Sequence, residues 1–340
     1  MAEGARAGLS FGLPALLTLV TVPLAIATAR RTGFLDAPKG YKAHLLPTPY
    51  LGGAALLAAM LPVAVALDEE VVTRYWPLLA GALFLAFVGA IDDRVSLSPL
   101  LRLTLEVLAA GFLWAEGLGW SFLGSGALNL LFTAFWVAGL VNAFNLMDNL
   151  DGAASSVAAV SAGAVAVLAA IADNLPLMVV SASLCGALIG FLRFNLARPS
   201  QIFLGDGGSM PVGFLLAGAL MTAPMGELSG WAAVATAAMI AGLPVFDTTL
   251  VVISRWRRGA PVLSGATDHT THRLLVALRS PRAVAAALAG TQACLCGLAI
   301  EGTRRGQAVT IAIACGAFLV ATGTVILAEG PQWMPASEDS

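Results

Sequence analysis

Eleven apolar stretches, each close to the length of a membrane-spanning helix, make up most of this chain of 340 residues. A helix needs about 20 mainly apolar residues to cross a bilayer. Only 11% of the residues are charged, against about a quarter in soluble domains, so no soluble domain is expected. The sequence predicts an all-α, polytopic integral membrane protein, a single domain over 1–340 with 10 to 11 transmembrane helices. The stretches are 8–29, 51–67, 76–91, 100–118, 126–143, 153–171, 176–193, 210–225, 231–253, 283–300 and 307–328.

The distribution of Lys and Arg predicts the orientation. Fourteen of the 18 basic residues lie on one side of the predicted membrane, when helix-end residues Arg102 and Arg193 are assigned to it. Short loops rich in Lys and Arg face the cytoplasm. We therefore expect an outside N-terminus. We also expect a multi-pass protein of the inner (plasma) membrane. The dispersed basic residues and a net charge of -2 argue against nucleic-acid binding. The predicted cytoplasmic segments are 30–50, 92–99, 144–152, 194–209 and 254–282.

Residues 142–152, NAFNLMDNLDG, concentrate five Asn and Asp residues between two apolar stretches. A polar turn is the simplest interpretation. However, ionisable groups at a membrane helix end are costly and therefore suggest a functional site. Asp148 and Asp151 are three residues apart, a spacing that places them on one helical face.

Two other predicted cytoplasmic segments carry acids. Asp92 and Asp93 are adjacent, and neighbouring carboxylates repel unless a cation such as Mg²⁺ or a raised pKa relieves them. Capping of the next helix explains Ser98 before Pro99 but not two acids. Asp206 lies in the turn LGDGGS, where glycines allow a phosphate to approach backbone N–H groups and a carboxylate can meet a metal. A simple turn is the alternative.

The remaining candidates are in the first and last cytoplasmic segments. His269 and His272 are three residues apart in an Arg-rich loop. No third ligand nearby completes a zinc site, so contact with phosphate is the better interpretation. Lys42 and His44 lie in the first loop, where positive-inside charge and ligand contact are equally good explanations.

Together these segments resemble the polyprenyl-phosphate N-acetylhexosamine-1-phosphate transferases, bacterial glycosyltransferase family 4. The resemblance covers nearly the whole chain in order and implies about ten or eleven spans with a cytoplasmic Mg²⁺ site. Members transfer a sugar 1-phosphate from a UDP-sugar to a polyprenyl phosphate and release UMP, as the first membrane step of cell-envelope polysaccharide synthesis. The motifs are PTPYLGG at 47–53, GAIDDR at 89–94 followed by LSPLLRL, NAFNLMDNLDG, FN at 194–195 with IFLGDGGS at 202–209, and DHTTHRL at 268–274.

The resemblance also implies roles for individual residues. Asp206 and Asn145 would hold Mg²⁺, for which Mn²⁺ would substitute, and Asp92 with Asp93 would handle the lipid phosphate. The nucleotide and sugar contacts would come from Asp148, Asp151, Asn195, Phe203, which would stack on uracil, His269, His272 and Arg273. The resemblance implies three partners: a UDP-sugar, expected to be a UDP-N-acetylhexosamine, polyprenyl phosphate and the membrane. A homodimer is compatible with the resemblance.

The chain departs from the family pattern at two positions. Asn149 replaces the more usual Gly after Asp148, and Thr271 stands where many members have a His. The phospho-MurNAc-pentapeptide transferases of peptidoglycan synthesis, an alternative, typically have three consecutive His residues there. An ion-coupled transporter is another alternative, although transporter sites lie near the midplane. A CDP-alcohol phosphotransferase would require DGxxAR, and no Arg follows Gly152 at that spacing.

Overall fold

A computed structural model describes residues 3–36, 47–259 and 268–328. The candidates Lys42 and His44 lie outside the described residues. Within the described ranges the chain forms thirteen helices and two short strands. The helices are α1 (Glu3–Thr32), α2 (Gly52–Leu67), α3 (Glu70–Val95), α4 (Pro99–Ala115), α5 (Gly126–Met147), α6 (Ala153–Ile171), α7 (Leu175–Asn195), α8 (Asp206–Thr222), α9 (Trp231–Ile240), α10 (Gly242–Arg258), α11 (Thr270–Leu278), α12 (Pro281–Arg305) and α13 (Gln307–Ala328).

The prediction of an all-α polytopic membrane protein is confirmed. Each predicted span corresponds to a helix, except that the ninth is divided into α9 and α10. Among the described residues, seven helices are long and apolar enough to cross a membrane, or eight if this bent pair forms one span. The total of 10 to 11 spans, the single domain and the outside N-terminus stay predictions.

Buried small residues bring the central helices together. α8 packs against α3 and α5, and α7 packs against α1 and α6. A Cβ atom at Gly53 would collide with the backbone of Gly207, and one at Gly89 would collide with the backbone of Asp206. Glycine is therefore required where α2 and α3 approach the start of α8. By contrast, α13 exposes apolar side chains, as expected for a helix facing lipid.

The bend between α9 and α10 is 86°. Pro244, in the first turn of α10, has no N–H to donate to a continuous helix, and the freed carbonyl of Ile240 needs donors. Ser161 Oγ donates to this carbonyl at 2.6 Å and Gln292 Nε2 at 2.7 Å. Gln292 Oε1 also accepts from Leu243 N at 3.0 Å. Neighbouring helices thus satisfy the broken backbone, as a membrane interior demands.

The helices extend further at the acid-rich ends than the apolar stretches predicted. Asp92 and Asp93 lie in the last turn of α3 rather than in a connection, and Asn145 lies within α5. α3 ends where Ser96 adopts a left-handed conformation with φ 53°. Asp92 Oδ1 accepts a hydrogen bond from Leu97 N at 2.6 Å. This local capping stabilises a polar helix end that hydropathy alone places in a loop.

The PTPYLGG segment supports the turn that contains Asp206. The two strands, β1 (Leu35–Asp36) and β2 (Thr48–Pro49), pair antiparallel, with Leu35 opposite Pro49. Pro49 O accepts from Phe203 N at 2.8 Å, and Phe203 O accepts from Gly52 N at 3.2 Å. The entry to α2 and the approach to α8 are therefore hydrogen-bonded to each other.

Candidate active site

Asp206 is the first residue of α8, and its orientation is set by the preceding turn. Gly205 has φ 72°, a left-handed conformation that favours glycine. Asp93 Oδ1 accepts from Asp206 N at 2.9 Å, and Asp93 Oδ2 accepts from Gly207 N at 3.1 Å. Asp93, on α3, therefore caps the N-terminus of α8, where a carboxylate is favoured by the helix dipole. Both hydrogen bonds are with backbone N–H groups at the start of α8.

Arg102 joins three of the polar side chains at this end of the helices. Its Nη1 lies 2.8 Å from Asp92 Oδ2 and 3.4 Å from Asp206 Oδ2. Its Nη2 donates to Asn145 Oδ1 at 2.8 Å. The four residues come from α3, α4, α5 and α8. The planar guanidinium can serve several acceptors at once, so it offsets repulsion between the carboxylates and fixes their spacing.

Asn145 completes the cluster on the α8 side. Its Nδ2 donates to Asp206 Oδ1 at 2.7 Å and to Ser209 Oγ at 2.9 Å. The two residues predicted to hold Mg²⁺ are thus in direct contact. The structure therefore brings together Asp92, Asn145 and Asp206, which are far apart in the sequence.

The donor set of this cluster fits Mg²⁺. Among the described residues, no three His, Cys, Asp or Glu side chains form a group that could hold a metal. Mg²⁺, however, is commonly held by one or two carboxylates together with substrate phosphates and water. Asp206 supplies such a carboxylate, and Asn145 would supply its Oδ1, which accepts from Arg102. The oxygen chemistry is right for Mg²⁺, and the ligand assignment stays a prediction.

The connection after α5 lies beside this cluster. Burial, followed by the nearby charges of Asp206, Asp93 and Asp151, raises the pKa of Asp148 well above its usual value. Asp148 is thus part of the same electrostatic environment as Asp206. A raised pKa of this kind is common at functional sites, although structural acids also show it.

Asn195 supports that connection from α7. Its Oδ1 accepts from Gly152 N at 2.6 Å, and its Nδ2 donates to Ile202 O at 3.0 Å. Asn195 is 3% exposed, and both of these contacts are with backbone groups. It joins the NAFNLMDNLDG segment to the approach of α8. Phe203 is half-buried in that approach.

The last-loop residues are anchored to α10. Arg255 Nε and Nη2 donate to Asp268 at 2.9 and 2.8 Å, and Arg258 donates to it at 2.7 Å. Burial alone would raise the pKa of Asp268, but the arginine contacts outweigh burial and lower it to about 2. Arg273 Nε donates to Asp268 O at 3.2 Å. This group holds more positive than negative charge, as an anion-binding region requires.

The two histidines lie near each other at the start of α11. Their ring centroids are 6.4 Å apart. Burial, followed by the neighbouring charge of His269, lowers the pKa of His272. Thr271, between them, hydrogen-bonds through its hydroxyl to Asn149 Oδ1. This contact places α11 against the connection that carries Asp148, so the histidine motif and the acid motif are neighbours in space.

Residues 75–223 match the profile of glycosyl transferase family 4. A decaprenyl-phosphate N-acetylglucosaminephosphotransferase of Mycolicibacterium smegmatis is 31% identical over 304 residues, covering 77% of this chain and 73% of the relative. The chain belongs to glycosyl transferase family 4. The matched residues include most of α3 and all of α4, α5 and α8, and therefore Arg102 together with Asp92, Asn145 and Asp206.

Two further relatives of this family 4 chain come from other bacteria. A probable undecaprenyl-phosphate N-acetylglucosaminyl 1-phosphate transferase of Bacillus subtilis is 26% identical, covering 79% of this chain and 77% of the relative. An undecaprenyl-phosphate alpha-N-acetylglucosaminyl 1-phosphate transferase of Escherichia coli K12 is 27% identical, covering 76% and 74%.

Two residues of the candidate site were not identified from the sequence. Arg102 was counted only as a helix-end charge, although its position one turn into α4 after the acid pair was a usable signal. Asp247 lies inside a predicted span, and its carboxylate lies 2.8 Å from His269. A lone acid within an apolar stretch was the signal for this residue.

Proposed function

We propose that this protein transfers N-acetylhexosamine 1-phosphate from a UDP-sugar to polyprenyl phosphate and releases UMP. The observation that carries the proposal is the Arg102 cluster, in which Asp92, Asn145 and Asp206 meet at one end of a membrane helix bundle. The names of the three relatives support the same reaction class. We further propose 10 to 11 spans, an outside N-terminus and a cytoplasmic active site in the plasma membrane.

The reaction joins two anions. An oxygen of the polyprenyl phosphate forms a bond to the sugar-bearing phosphorus of the UDP-sugar, and the bond from that phosphorus to the bridging oxygen of UMP breaks. Such phosphoryl transfer needs positioning and charge neutralisation more than covalent catalysis. Mg²⁺, when bound, would offset the negative charge of the phosphates.

The chain's own residues supply the positioning. Asp206 and Asn145 would hold the metal, and Asp93 keeps Asp206 in place by capping α8. Arg102 orients Asp92, the residue assigned to the lipid phosphate, and keeps a fixed positive charge beside it. A site at one end of the bundle suits an acceptor whose phosphate lies at the membrane surface.

The donor would bind between the Asp148 connection and α11. Asp148, Asp151 and Asn195 would shape the nucleotide pocket, with Phe203 against the uracil. His269, His272 and Arg273 would contact the sugar and the phosphates. The Thr271–Asn149 hydrogen bond supports this arrangement because it brings the two segments together.

The activity is tested by incubating the purified protein with undecaprenyl phosphate, Mg²⁺ and a panel of UDP-sugars, including UDP-N-acetylglucosamine and UDP-MurNAc-pentapeptide. We expect UMP release that requires both the lipid and a UDP-N-acetylhexosamine, stops with EDTA and returns with Mg²⁺ or Mn²⁺. Release only with UDP-MurNAc-pentapeptide would assign the protein to peptidoglycan synthesis. Substrate uptake into vesicles without a lipid acceptor would instead favour a transporter.

The orientation is tested by cysteine labelling after the four native cysteines are replaced. Gln201 is exposed on the approach to α8, and Glu227 is exposed at the other end of that helix. We expect Gln201→Cys to be protected from an impermeant reagent in intact cells and Glu227→Cys to react. The reverse pattern would overturn the cytoplasmic placement of the site.

A further inference from the structure

Asp247 is a fully buried carboxylate on α10, the helix that follows the 86° bend. Its Oδ1 accepts a hydrogen bond from the backbone N–H of Thr270 at 2.6 Å. Its Oδ2 lies 2.8 Å from Nδ1 of His269, a side chain that is itself 5% exposed. Both carboxylate oxygens therefore contact the start of α11.

The contact with Thr270 fixes the orientation of the carboxylate. Thr270 is the first residue of α11, and His269 is the N-cap residue, whose side chain makes no capping hydrogen bond. The first N–H groups of a helix need acceptors from outside the helix. Asp247 supplies one from a different helix. Because a backbone N–H can only donate, Oδ1 is the acceptor of this hydrogen bond. Oδ2 then faces the histidine.

The contact with His269 then determines the tautomer. An ionised carboxylate only accepts hydrogen bonds, so Nδ1, 2.8 Å from Oδ2, is the nitrogen expected to carry the proton. In the neutral ring this leaves Nε2 unprotonated and able to accept a hydrogen bond or a proton.

We propose that Asp247 is a positioning residue that holds the proton of His269 on Nδ1 and reserves Nε2 for the oxygen atoms of the sugar 1-phosphate donor. The assignment of Nε2 to the donor rests on the proposed function. The relationship between Asp247 and His269 does not. If Asp247 only capped α11, Oδ1 would be sufficient and the tautomer of His269 would be independent of residue 247.

Asp247→Asn separates these two roles. Its side-chain oxygen must still accept from Thr270 N–H, so its NH₂ group is turned toward His269 Nδ1. Because NH₂ donates, Nδ1 must lose its proton and Nε2 must gain it. The capping contact is kept while the tautomer is inverted. A thermal midpoint close to that of the wild type would verify that the cap survives.

The tautomer is measured directly by ¹⁵N NMR of protein labelled only at histidine. The chain has three histidines, so three rings are observed, and His269→Gln identifies the signals of His269. At a pH where the ring is neutral, we expect protonated Nδ1 in the wild type and protonated Nε2 in Asp247→Asn. Asp173→Asn, at an exposed site with φ 52°, is the matched control and should change none of the rings.

An unprotonated Nδ1 in wild-type His269, or an unchanged tautomer in Asp247→Asn, would overturn the proposal. The wild-type spectrum alone is decisive if Asp247→Asn does not fold. These spectra do not depend on turnover, so they test the tautomer even if no UDP-sugar is a substrate. The absence of any UDP-sugar substrate would refute the proposed function but not the Asp247–His269 relationship.

A double-mutant cycle tests whether Asp247 acts through His269. We expect Asp247→Asn to lower kcat for UMP release by roughly tenfold or more. In a His269→Gln background, the same substitution should have little further effect. Independent, multiplying losses would show that Asp247 affects turnover by another route and would overturn the positioning role.

Discussion

The hydroxyl of Thr271 hydrogen-bonds to the side-chain oxygen of Asn149, and these are the two positions at which the chain departs from the family pattern. Thr271 is fully buried, and Asn149 Nδ2 also donates to Leu146 O at 2.6 Å. The smaller Thr and the larger Asn are therefore complementary. Together they hold α11 against the connection after α5.

This complementarity predicts the outcome of restoring the family residues. Thr271→His alone should lower the thermal midpoint and UMP release, because adding volume to a packed site costs about 1–3 kcal/mol. Asn149→Gly with Thr271→His should recover part of both. The measurements are thermal unfolding and UMP release for both single variants and the double variant. Equal losses in Thr271→His and the double variant would mean that the two positions are not coupled.

Arg102 should be sensitive to replacement by Lys as well as by an uncharged residue. Its two terminal nitrogens serve Asp92 and Asn145 separately, which a single ammonium cannot reproduce at both 2.8 Å contacts. We expect Arg102→Lys to keep part of the activity and Arg102→Met to lose on the order of 100-fold in kcat. Arg305→Met, at an exposed pair with Glu301, is the control. Wild-type kcat in Arg102→Met would exclude a role for Arg102 in turnover.

Asp206→Asn should fold but nearly abolish UMP release. It keeps the size of the side chain and removes the charge that would hold the metal, a loss on the order of 3 kcal/mol or more in transition-state stabilisation. Excess Mg²⁺ or Mn²⁺ should restore part of the rate at most. The checks are UMP release against metal concentration and thermal unfolding. Near-normal turnover at ordinary Mg²⁺ would show that other residues hold the metal, with Asp92 as the next candidate.

Glu106 and Asn142 form a second polar contact between α4 and α5, one helical turn from the contact of Arg102 with Asn145. Glu106 is fully buried, and its Oε2 accepts from Asn142 Nδ2. Its Oε1 has no hydrogen-bond partner among the described residues. The pair therefore supports the spacing of the helices that carry Arg102 and Asn145.

Substitutions of both partners test the value of this pair. Glu106→Gln keeps an oxygen acceptor for Asn142 and should be close to wild type in stability. Glu106→Leu removes this hydrogen bond, while Asn142 Nδ2 still donates to Ala138 O at 2.9 Å, and should cost about 1 kcal/mol. Glu106→Leu with Asn142→Leu should recover stability. Thermal unfolding in one detergent compares all three, and an unaffected Glu106→Leu would show that the contact contributes little.

The stabilisation contributed by Asp268 should disappear in acid. Its pKa in the folded protein is about 2, below the usual value for Asp, because Arg255 and Arg258 favour the charged form. The unfolded chain therefore binds a proton at a higher pH than the folded protein, and stability falls as the pH drops from about 4 toward 2. Asp268→Asn should be less stable than the wild type at pH 7, and the difference should shrink across that range. A constant difference between the thermal midpoints would contradict this origin.

The sequence by itself determined the fold class and supplied most of the candidate site residues. Long apolar stretches leave helices as the main way to satisfy backbone hydrogen bonds in lipid. Asn145, Asp148 and Asp206 were site candidates because Asp and Asn residues have no structural reason to lie near apolar stretches. The resemblance of five ordered motifs led to the correct family, because those motifs retain their residue types and order.

Only the tertiary structure decided which of these residues meet and what each contacts. Asp93 is 113 positions from Asp206 but caps its helix, a relationship that depends on how α3 and α8 pack. In the sequence, Arg102 resembles any charged residue near a helix end. Its role becomes visible only where α3, α4, α5 and α8 meet. Asp247 contacts His269 from α10, which begins after the 86° bend that separates it from α9. Hydropathy and local spacing report on one segment at a time, whereas these contacts arise from packing between segments distant in the chain.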